Sequence, residues 1–531
     1  MLFTSYEFIV FFLCILLLYY VVPKKFQWIL LLISSYVFYF FGGLFYPIFL
    51  FTTSLTVWFA AKKIDGLYVE QEDYLTGHSL AREEKKAYKA SQKKRMKRWM
   101  LAALLLNLGI LAVLKYANFA IENVNQILYL TGTDTEITYV DIILPIGISF
   151  YTFQALGYLL DVYWNRIRAQ QNFFRFALFT SFFPQLSQGP ISRYADLSVT
   201  LYQEHKFDWK QVRFGLERIL WGYFKKLVVA DRIAEAVGLI TEDPEYYTGA
   251  FILIGIFFYA AQLYADFTGG IDITIGIAQT MGILVKENFE RPFFSKNIEE
   301  YWRRWHISMG TWFKDYIFYP LSLSKPMKKL TSWSKEHFGL KVGKRSNIYV
   351  ATLIVWLATG IWHGASWNFV MWGVMNGIVI LISQEFTPLY KRFHDRFPKL
   401  AASRAYAGFQ VIRTFLLMGC LRLFDNYAGV GEAFKAFLHM FTQFGASIEL
   451  LNAEEFLYLL PSVADYIIVA CGVLVMFLVS MVQRSGSVRV KISQKPYPIR
   501  FAIFFLLFFA VLLFGAYGMN YDGSQFIYNQ F

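Results

Sequence analysis

The chain has 531 residues, of which 56% are hydrophobic, 20% aromatic and only 17% charged, more apolar and less charged than an average soluble domain. Its 51 Lys and Arg against 38 Asp and Glu give a net charge of +13. In a soluble protein that surplus would suggest a nucleic-acid partner, but in so apolar a chain it reads as membrane topology.

Apolar runs begin near Phe8, Phe26, Leu44, Met100, Ile142, Phe251, Tyr349, Phe369, Ala407, Asp465 and Phe501. A crossing takes about 20 residues, so the pattern predicts an all-α polytopic membrane protein with about eleven or twelve transmembrane helices. The first run has no basic flank before it and no small-residue cleavage site after it, so it reads as the first crossing. Residues 62–98 follow, with Lys62, Lys63, Arg82, Lys85, Lys86, Lys89, Lys93, Lys94, Arg95, Lys97 and Arg98 against six acids. The excess of basic residues places this segment in the cytoplasm and the N-terminus outside. Arg82–Ala90 has the composition of a charged surface helix, but the segment is read as a solvated connector.

Three stretches further on interrupt the simple pattern. Leu144-Pro-Ile-Gly-Ile-Ser-Phe-Tyr-Thr-Phe-Gln carries Pro145 and Gly147 inside apolar sequence, and Phe173 to Pro190 is too short to cross comfortably. Tyr264-Ala-Asp-Phe-Thr-Gly-Gly-Ile-Asp is the third, with Asp266 and Asp272 among apolar neighbours. Such segments read as re-entrant or broken helices around a polar cavity. Asp266, Asp272, Asp161 and Gln154 either orient catalytic groups there or make structural hydrogen bonds.

His306 comes next, in Tyr301-Trp-Arg-Arg-Trp-His-Ile-Ser-Met. Helical spacing puts Trp302, Trp305, Met309 and Trp312 on one face and Arg303, Arg304 and Lys314 on another, the pattern of a helix lying in the membrane surface. His306 is therefore either catalytic or part of an aromatic and basic anchor near the cytoplasmic face. Arg303 and Arg304, with Trp305, form a cluster suited to an anionic cofactor through guanidinium forks.

His363 stands in Gly360-Ile-Trp-His-Gly-Ala-Ser-Trp, deep in an uncharged apolar stretch or toward its outer half. An ionisable group at membrane depth is costly and marks a functional site by default. A neutral imidazole can take a proton from a hydroxyl as general base, and Gly364 would let a substrate approach the backbone. The competing role is an interhelical hydrogen bond.

Cys14, Cys420 and Cys471 lie far apart in apolar runs and read as small buried hydrophobes, neither a disulfide framework nor a metal site. A Walker loop, a dinucleotide glycine fingerprint and a Gly-x-Ser-x-Gly elbow are all missing from the sequence. The whole chain, 1–531, reads as one integral-membrane domain, with 141–385 as its catalytic core and 407–531 as C-terminal helices.

Taken in order, Tyr264-Ala-Asp-Phe-Thr-Gly, Glu287-Asn-Phe-Glu-Arg-Pro-Phe-Phe-Ser-Lys-Asn-Ile, Tyr301-Trp-Arg-Arg-Trp-His-Ile-Ser-Met, Asp315-Tyr-Ile-Phe-Tyr-Pro-Leu and Gly360-Ile-Trp-His-Gly-Ala-Ser-Trp-Asn-Phe-Val-Met-Trp-Gly resemble the membrane-bound O-acyltransferase (MBOAT) family. The alginate O-acetyltransferase branch matches best, and the closing Phe526-Ile-Tyr-Asn-Gln-Phe extends the likeness over nearly the whole chain. The resemblance implies a ring of helices around a thinned core, a tunnel from a cytoplasmic donor to an external acceptor, and His306 and His363 as the functional pair with His363 principal. Leu421-Arg-Leu-Phe-Asp-Asn-Tyr departs from the family, where an aromatic segment often ends in Phe-Phe-Arg, which puts contacts on the outer side in doubt.

The expected activity is acyl transfer across the membrane, with no tightly bound cofactor. Acetyl-CoA is the first candidate donor and an acyl-phosphopantetheine carrier the second. The resemblance implies envelope polysaccharides as acceptors and a separate SGNH-type extracytoplasmic transferase as partner. D-alanyl transfer to teichoic acid, a glycolipid transporter or flippase, and a structural scaffold are the competing readings.

Overall fold

The computed structural model describes residues 1–142, 144–451 and 453–517. Among the described residues every regular element is a helix and none is a strand. All eleven apolar runs form helices: α1 (Tyr6–Val21), α2 (Gln27–Phe40), α3 (Tyr46–Gly77), α4 (Arg82–Leu130), α5 (Ile148–Tyr163), α6 (Ala250–Thr280), α9 (Lys325–His363), α10 (Trp367–Glu385), α11 (Arg404–Leu421), α12 (Val463–Gln483) and α13 (Tyr497–Phe514). Two short helices, α7 (Ile298–Arg304) and α8 (Ile307–Phe313), fall between α6 and α9. Serines start several of them: Ser5 Oγ accepts from Phe8 N, Ser403 from Tyr406 N and Ser462 from Asp465 N, satisfying donors that a helix start leaves open.

Among the described residues six helices are long and apolar enough to cross a membrane: Arg82–Leu130, Ala250–Thr280, Trp367–Glu385, Arg404–Asn426, Val463–Gln483 and Tyr497–Phe514. That is fewer than the eleven or twelve expected. Helices α1, α2 and α5 have 16, 14 and 16 residues, short of the roughly 20 that a straight crossing takes. Hydropathy registers the apolar run, whereas helix length is decided by where the backbone turns.

The chain forms two compact units, one of Met1–Arg213 with Ile277–Lys286 and the other of Phe214–Gly276 with Glu287–Phe531. In the first, most of residues 62–98 are exposed, as a solvated connector would be, but they are not a loop. They are helical on both sides of a turn at residues 78–81. Lys93 Nζ donates to Tyr163 O at 2.9 Å, and Arg95 pairs with Glu70 at 3.1 Å. Helix α5 starts after Gly147 and is buried from Phe150 to Val162. Gln154 Nε2 donates to Phe179 O at 2.6 Å and Asp161 pairs with Arg166 at 3.1 Å, so both are tied into local packing.

In the second unit the segment around Asp266 and Asp272 is not broken: it lies inside the continuous 31-residue α6. Its carboxylates are neutralised by lysines from a π-helical stretch, Phe224–Ala230. Lys225 reaches Asp272 at 2.6 Å, and Lys226 reaches Asp266 at 2.5 Å and Asp231 at 2.6 Å. Paired charges need no break in the helix to be accommodated, because each ion is compensated by a partner. Cys14 and Cys471 are exposed, contrary to the expectation of burial, and all three cysteines are free thiols. They lie on outward faces of apolar helices, where the sequence cannot tell an outward from an inward position.

Candidate active site

The C-terminal half of α9 and the start of α10 form a hairpin whose turn carries His363. Two glycines let its arms touch: a Cβ on Gly360 would lie 2.4 Å from Phe369 O, and one on Gly373 would lie 2.3 Å from Trp356 O. Close approach of this kind requires small residues at the crossing. His363, the last residue of α9, is 9% exposed. Its ring meets Trp372 edge-on at 4.6 Å, with Trp362 at 5.0 Å and Phe369 at 6.4 Å. Gly364 does not open the backbone to a substrate, as its sequence context suggested. A Cβ there would lie 2.0 Å from the Phe369 ring, so the glycine makes room for a side chain that walls the imidazole.

His306 interrupts what the periodicity reads as one amphipathic helix. It sits between α7 and α8 in the left-handed region, φ 48° and ψ 53°, a conformation that is uncommon for a residue with a side chain and typical of functional positions. The apolar face is packed into protein and not laid on a surface: Trp305, Met309 and Trp312 are 3%, 3% and 8% exposed. The His306 imidazole is 1% exposed, meets Phe267 edge-on at 5.0 Å and Trp362 at 5.9 Å, and has Asn288 Nδ2 3.3 Å from its Nδ1. Burial, reinforced by the Arg422 cation, pushes its pKa down to about 3, so the ring is neutral at physiological pH.

The two imidazoles therefore share one wall, Trp362. A tryptophan cage extends from it. Trp302 packs on Trp356 at 4.8 Å and on Trp372 at 5.6 Å, and its Nε1 donates to Asn376 at 3.2 Å. The Arg422 guanidinium lies 5.7, 5.2 and 5.2 Å from the rings of Trp302, Trp305 and Trp372 and pairs with Asp425 at 2.5 Å. Cations over indole faces are favourable, more so when desolvated. Arg422 and Asp425 of the Leu421–Tyr427 segment thus lie against the histidine site.

Arg303 and Arg304 pair along their own helix. Arg303 is exposed and reaches Glu299 at 3.8 Å, while Arg304 pairs with Glu300 at 2.6 Å on the same helix. Trp305 faces inward, stacked on Tyr301 at 5.6 Å. The structure separates this trio: Trp305 joins the cage, Arg303 is exposed and Arg304 is half-buried beside Glu300. Sequence reasoning passed over Asn288, Trp372, Arg422 and Asp425. The last two carried a signal, an Arg and an Asp one helical turn apart in apolar sequence, which is the spacing of a buried ion pair.

A second cluster braces the loop that holds His306. Arg218, 8% exposed, grips Asp272 at 2.7 Å and Glu287 bidentately at 2.6 and 2.5 Å. Glu287 precedes Asn288, whose carbonyl accepts from Ile307 N at 2.9 Å, and Glu290 N donates to Arg304 O at 2.9 Å. These bonds fix the chain on both sides of the imidazole.

All-helical architecture among the described residues and six helices of membrane-crossing length define a multi-pass integral-membrane protein, and two buried histidines lie among its aromatic rings. The family model for MBOAT, the membrane-bound O-acyltransferase family, matches residues 165–429. The chain belongs to that family. It is 34% identical over 289 residues to the "Probable alginate O-acetylase AlgI" of Azotobacter vinelandii, covering 54% of each protein. It is 29% identical over 330 residues to the "Peptidoglycan O-acetyltransferase" of Helicobacter pylori, covering 57% of this chain and 58% of the relative. The "Teichoic acid D-alanyltransferase" of Bacillus subtilis is 27% identical over 256 residues, covering 47% and 61%. The chain spans about half the length of the curated relatives it matches. The matched residues 165–429 contain both histidines, Asn288 and the Arg422–Asp425 pair; residues 526–531, which carry the closing motif, lie outside the described residues.

Proposed function

We propose that this protein is an O-acyltransferase that moves an acyl group, acetyl in the first instance, from a cytoplasmic thioester toward hydroxyls of an envelope polysaccharide. The observation that carries the reading is the buried pair of His363 and His306 sharing the Trp362 wall. Its neighbourhood of rings excludes water, which protects an activated thioester from hydrolysis.

In this reading His363 takes the proton of the acceptor hydroxyl as its oxygen attacks the thioester carbonyl. The carbon–oxygen bond forms, the carbon–sulfur bond breaks, and the proton passes from His363 to the departing thiolate. Acetyl-CoA is the donor favoured by the O-acetyltransferase relatives. An SGNH-type extracytoplasmic transferase would complete delivery to the polymer. The match to a teichoic acid D-alanyltransferase supports a second reading, in which a carrier-bound D-alanyl thioester replaces acetyl-CoA.

The test is thioester consumption by the purified, membrane-reconstituted protein with labelled acetyl-CoA and, in parallel, with a D-alanyl carrier. Wild-type protein should release free thiol and transfer label, and a folded His363→Ala variant should be about 100-fold slower or worse. Undiminished transfer by His363→Ala removes the assignment, and no turnover of either thioester favours a transporter.

A further inference from the structure

We infer that Arg291, Arg304 and Arg484 form a subsite for a phosphate group beside the loop that carries His306. Two sources supply that chemistry, the headgroup of a bilayer phospholipid and the phosphate that CoA and a phosphopantetheine carrier share. The subsite stands without the acyl-transfer reading above, and only its use by the donor rests on it.

Arg291 is the centre of the cluster. It holds the left-handed conformation at φ 50° and ψ 54°, uncommon for a residue with a side chain and typical of functional positions. The guanidinium of this half-buried residue lies over the Phe294 ring at 4.6 Å. Among the described residues no carboxylate pairs with it, and its buried Nε meets no hydrogen-bond acceptor.

Two further arginines flank it. Arg304 Nη1 donates to Arg291 O at 3.5 Å, and Glu290 N donates to Arg304 O at 2.9 Å, which joins this loop to the end of α7. Arg484 follows the last residue of α12. Phe294 packs on Phe477 of that helix at 5.7 Å, and Arg484 stands seven residues beyond Phe477, two turns along the same face. Burial first, then the Arg304 and Arg484 cations, hold the Arg291 pKa below the ordinary guanidinium value, against the smaller pull of Tyr264 and Glu290.

The nearby acids do not balance these charges. Glu300 accepts from Arg304 at 2.6 Å on one oxygen and from Lys296 N at 2.8 Å on the other, so both oxygens are engaged. Arg484 is exposed, with no ion pair among the described residues. Like charges gathered around a half-buried guanidinium are unfavourable without an anion, and guanidinium forks match the oxygens of phosphate. Position agrees with charge: Val463–Gln483 is long and apolar enough to cross a membrane, so Arg484 stands where the hydrocarbon gives way to headgroups. Phe293, from the same turn, packs on Trp305 at 6.1 Å, so the loop that bears the subsite also lines the histidine cage.

The test follows the thermal midpoint of the full-length protein in neutral detergent with two pairs of probes, phosphatidylglycerol against diacylglycerol and 4′-phosphopantetheine against pantetheine. In each pair only the first carries phosphate. Wild-type protein should be stabilised by the phosphate member of at least one pair and not by its counterpart, with an apparent affinity that weakens as salt rises. Arg291→Gln and Arg484→Gln should each weaken that affinity about 10-fold or more, whereas Arg345→Gln, at an exposed arginine paired with Glu385, should not. Arg484→Gln changes an exposed side chain, so it reads the subsite even if Arg291→Gln fails to fold. A response confined to phosphatidylglycerol assigns the subsite to a lipid headgroup, one confined to phosphopantetheine assigns it to the donor, and a response to both assigns it to either phosphate. The absence of any phosphate-dependent shift in wild-type protein, or an undiminished shift in Arg484→Gln, overturns the inference. Because the readout is binding, a wild-type protein that shows the shift but turns over no thioester keeps the subsite and loses the acyl-transfer reading.

Discussion

Arg422 and Asp425 form a buried ion pair, 2.5 Å from nitrogen to oxygen, under three tryptophan rings. The pair is one helical turn long, so its geometry is set by its own backbone. Arg422 Nε and Asp425 Oδ1 find no hydrogen-bond partner among the described residues.

That incomplete satisfaction makes the pair costly to break and cheap to replace. Asp425→Asn strands the Arg422 cation and should destabilise the protein by about 3 kcal/mol or more, whereas Arg422→Met with Asp425→Leu should cost far less than the two single changes together. Thermal unfolding in detergent of wild-type protein, Asp425→Asn, the two single changes and the double variant checks this. A double variant as unstable as the sum of the singles would show that the charges stabilise the cage.

The His306 shift predicts a sign for stability against pH. The folded pKa of about 3 lies below the roughly 6.5 of an unfolded histidine, so between these values the unfolded chain binds the extra proton. The contribution is fully present above about pH 6.5 and declines as pH falls toward 3, by about 1.4 kcal/mol per unit. Wild-type protein should therefore lose stability on acidification more steeply than His306→Gln over this window, in melts at matched ionic strength. Parallel slopes would show that the ring titrates normally.

Gly364 and Gly373 should be intolerant of even one methyl group. A Cβ at Gly364 meets the Phe369 ring at 2.0 Å, and one at Gly373 meets Trp356 O at 2.3 Å. Each Gly→Ala change should cost about 1–3 kcal/mol. Gly408→Ala, where a Cβ meets nothing within 4 Å, should be neutral or slightly stabilising. Melting temperatures of the three variants give the comparison, and a harmless Gly364→Ala would mean that Phe369 moves freely.

The Arg218 clamp should respond unequally to loss of its two ends. Glu287 has a side chain that is 61% exposed, so Glu287→Gln should cost no more than about 1 kcal/mol. Arg218→Met removes a buried cation that two carboxylates share and should cost about 3 kcal/mol or more. Equal effects in thermal unfolding would contradict the burial asymmetry.

The class of protein was written in composition and period: eleven apolar runs became helices, and the spaced aromatic and histidine motifs marked residues that the structure gathers around Trp362. His363 stood out because a titratable group amid apolar residues is costly anywhere except at a site. At Asp266 and Asp272 the same logic left a site role and a structural role open, because their neutralising partners Lys226 and Lys225 are 40 and 47 residues away in sequence. Nor could it show that Arg303 and Arg304 pair with Glu299 and Glu300 on their own helix.

What the amino-acid order determined by itself was the set of helices, because hydropathy and backbone capping act within a few residues. Tertiary structure decided the rest: that the αL kink at His306 turns its ring inward, that Asn288 meets Nδ1, and that Arg422 lies under the tryptophans. Those relations depend on direction and on contacts between distant segments. A one-dimensional pattern carries neither, since period records which face a residue is on and not what that face will meet.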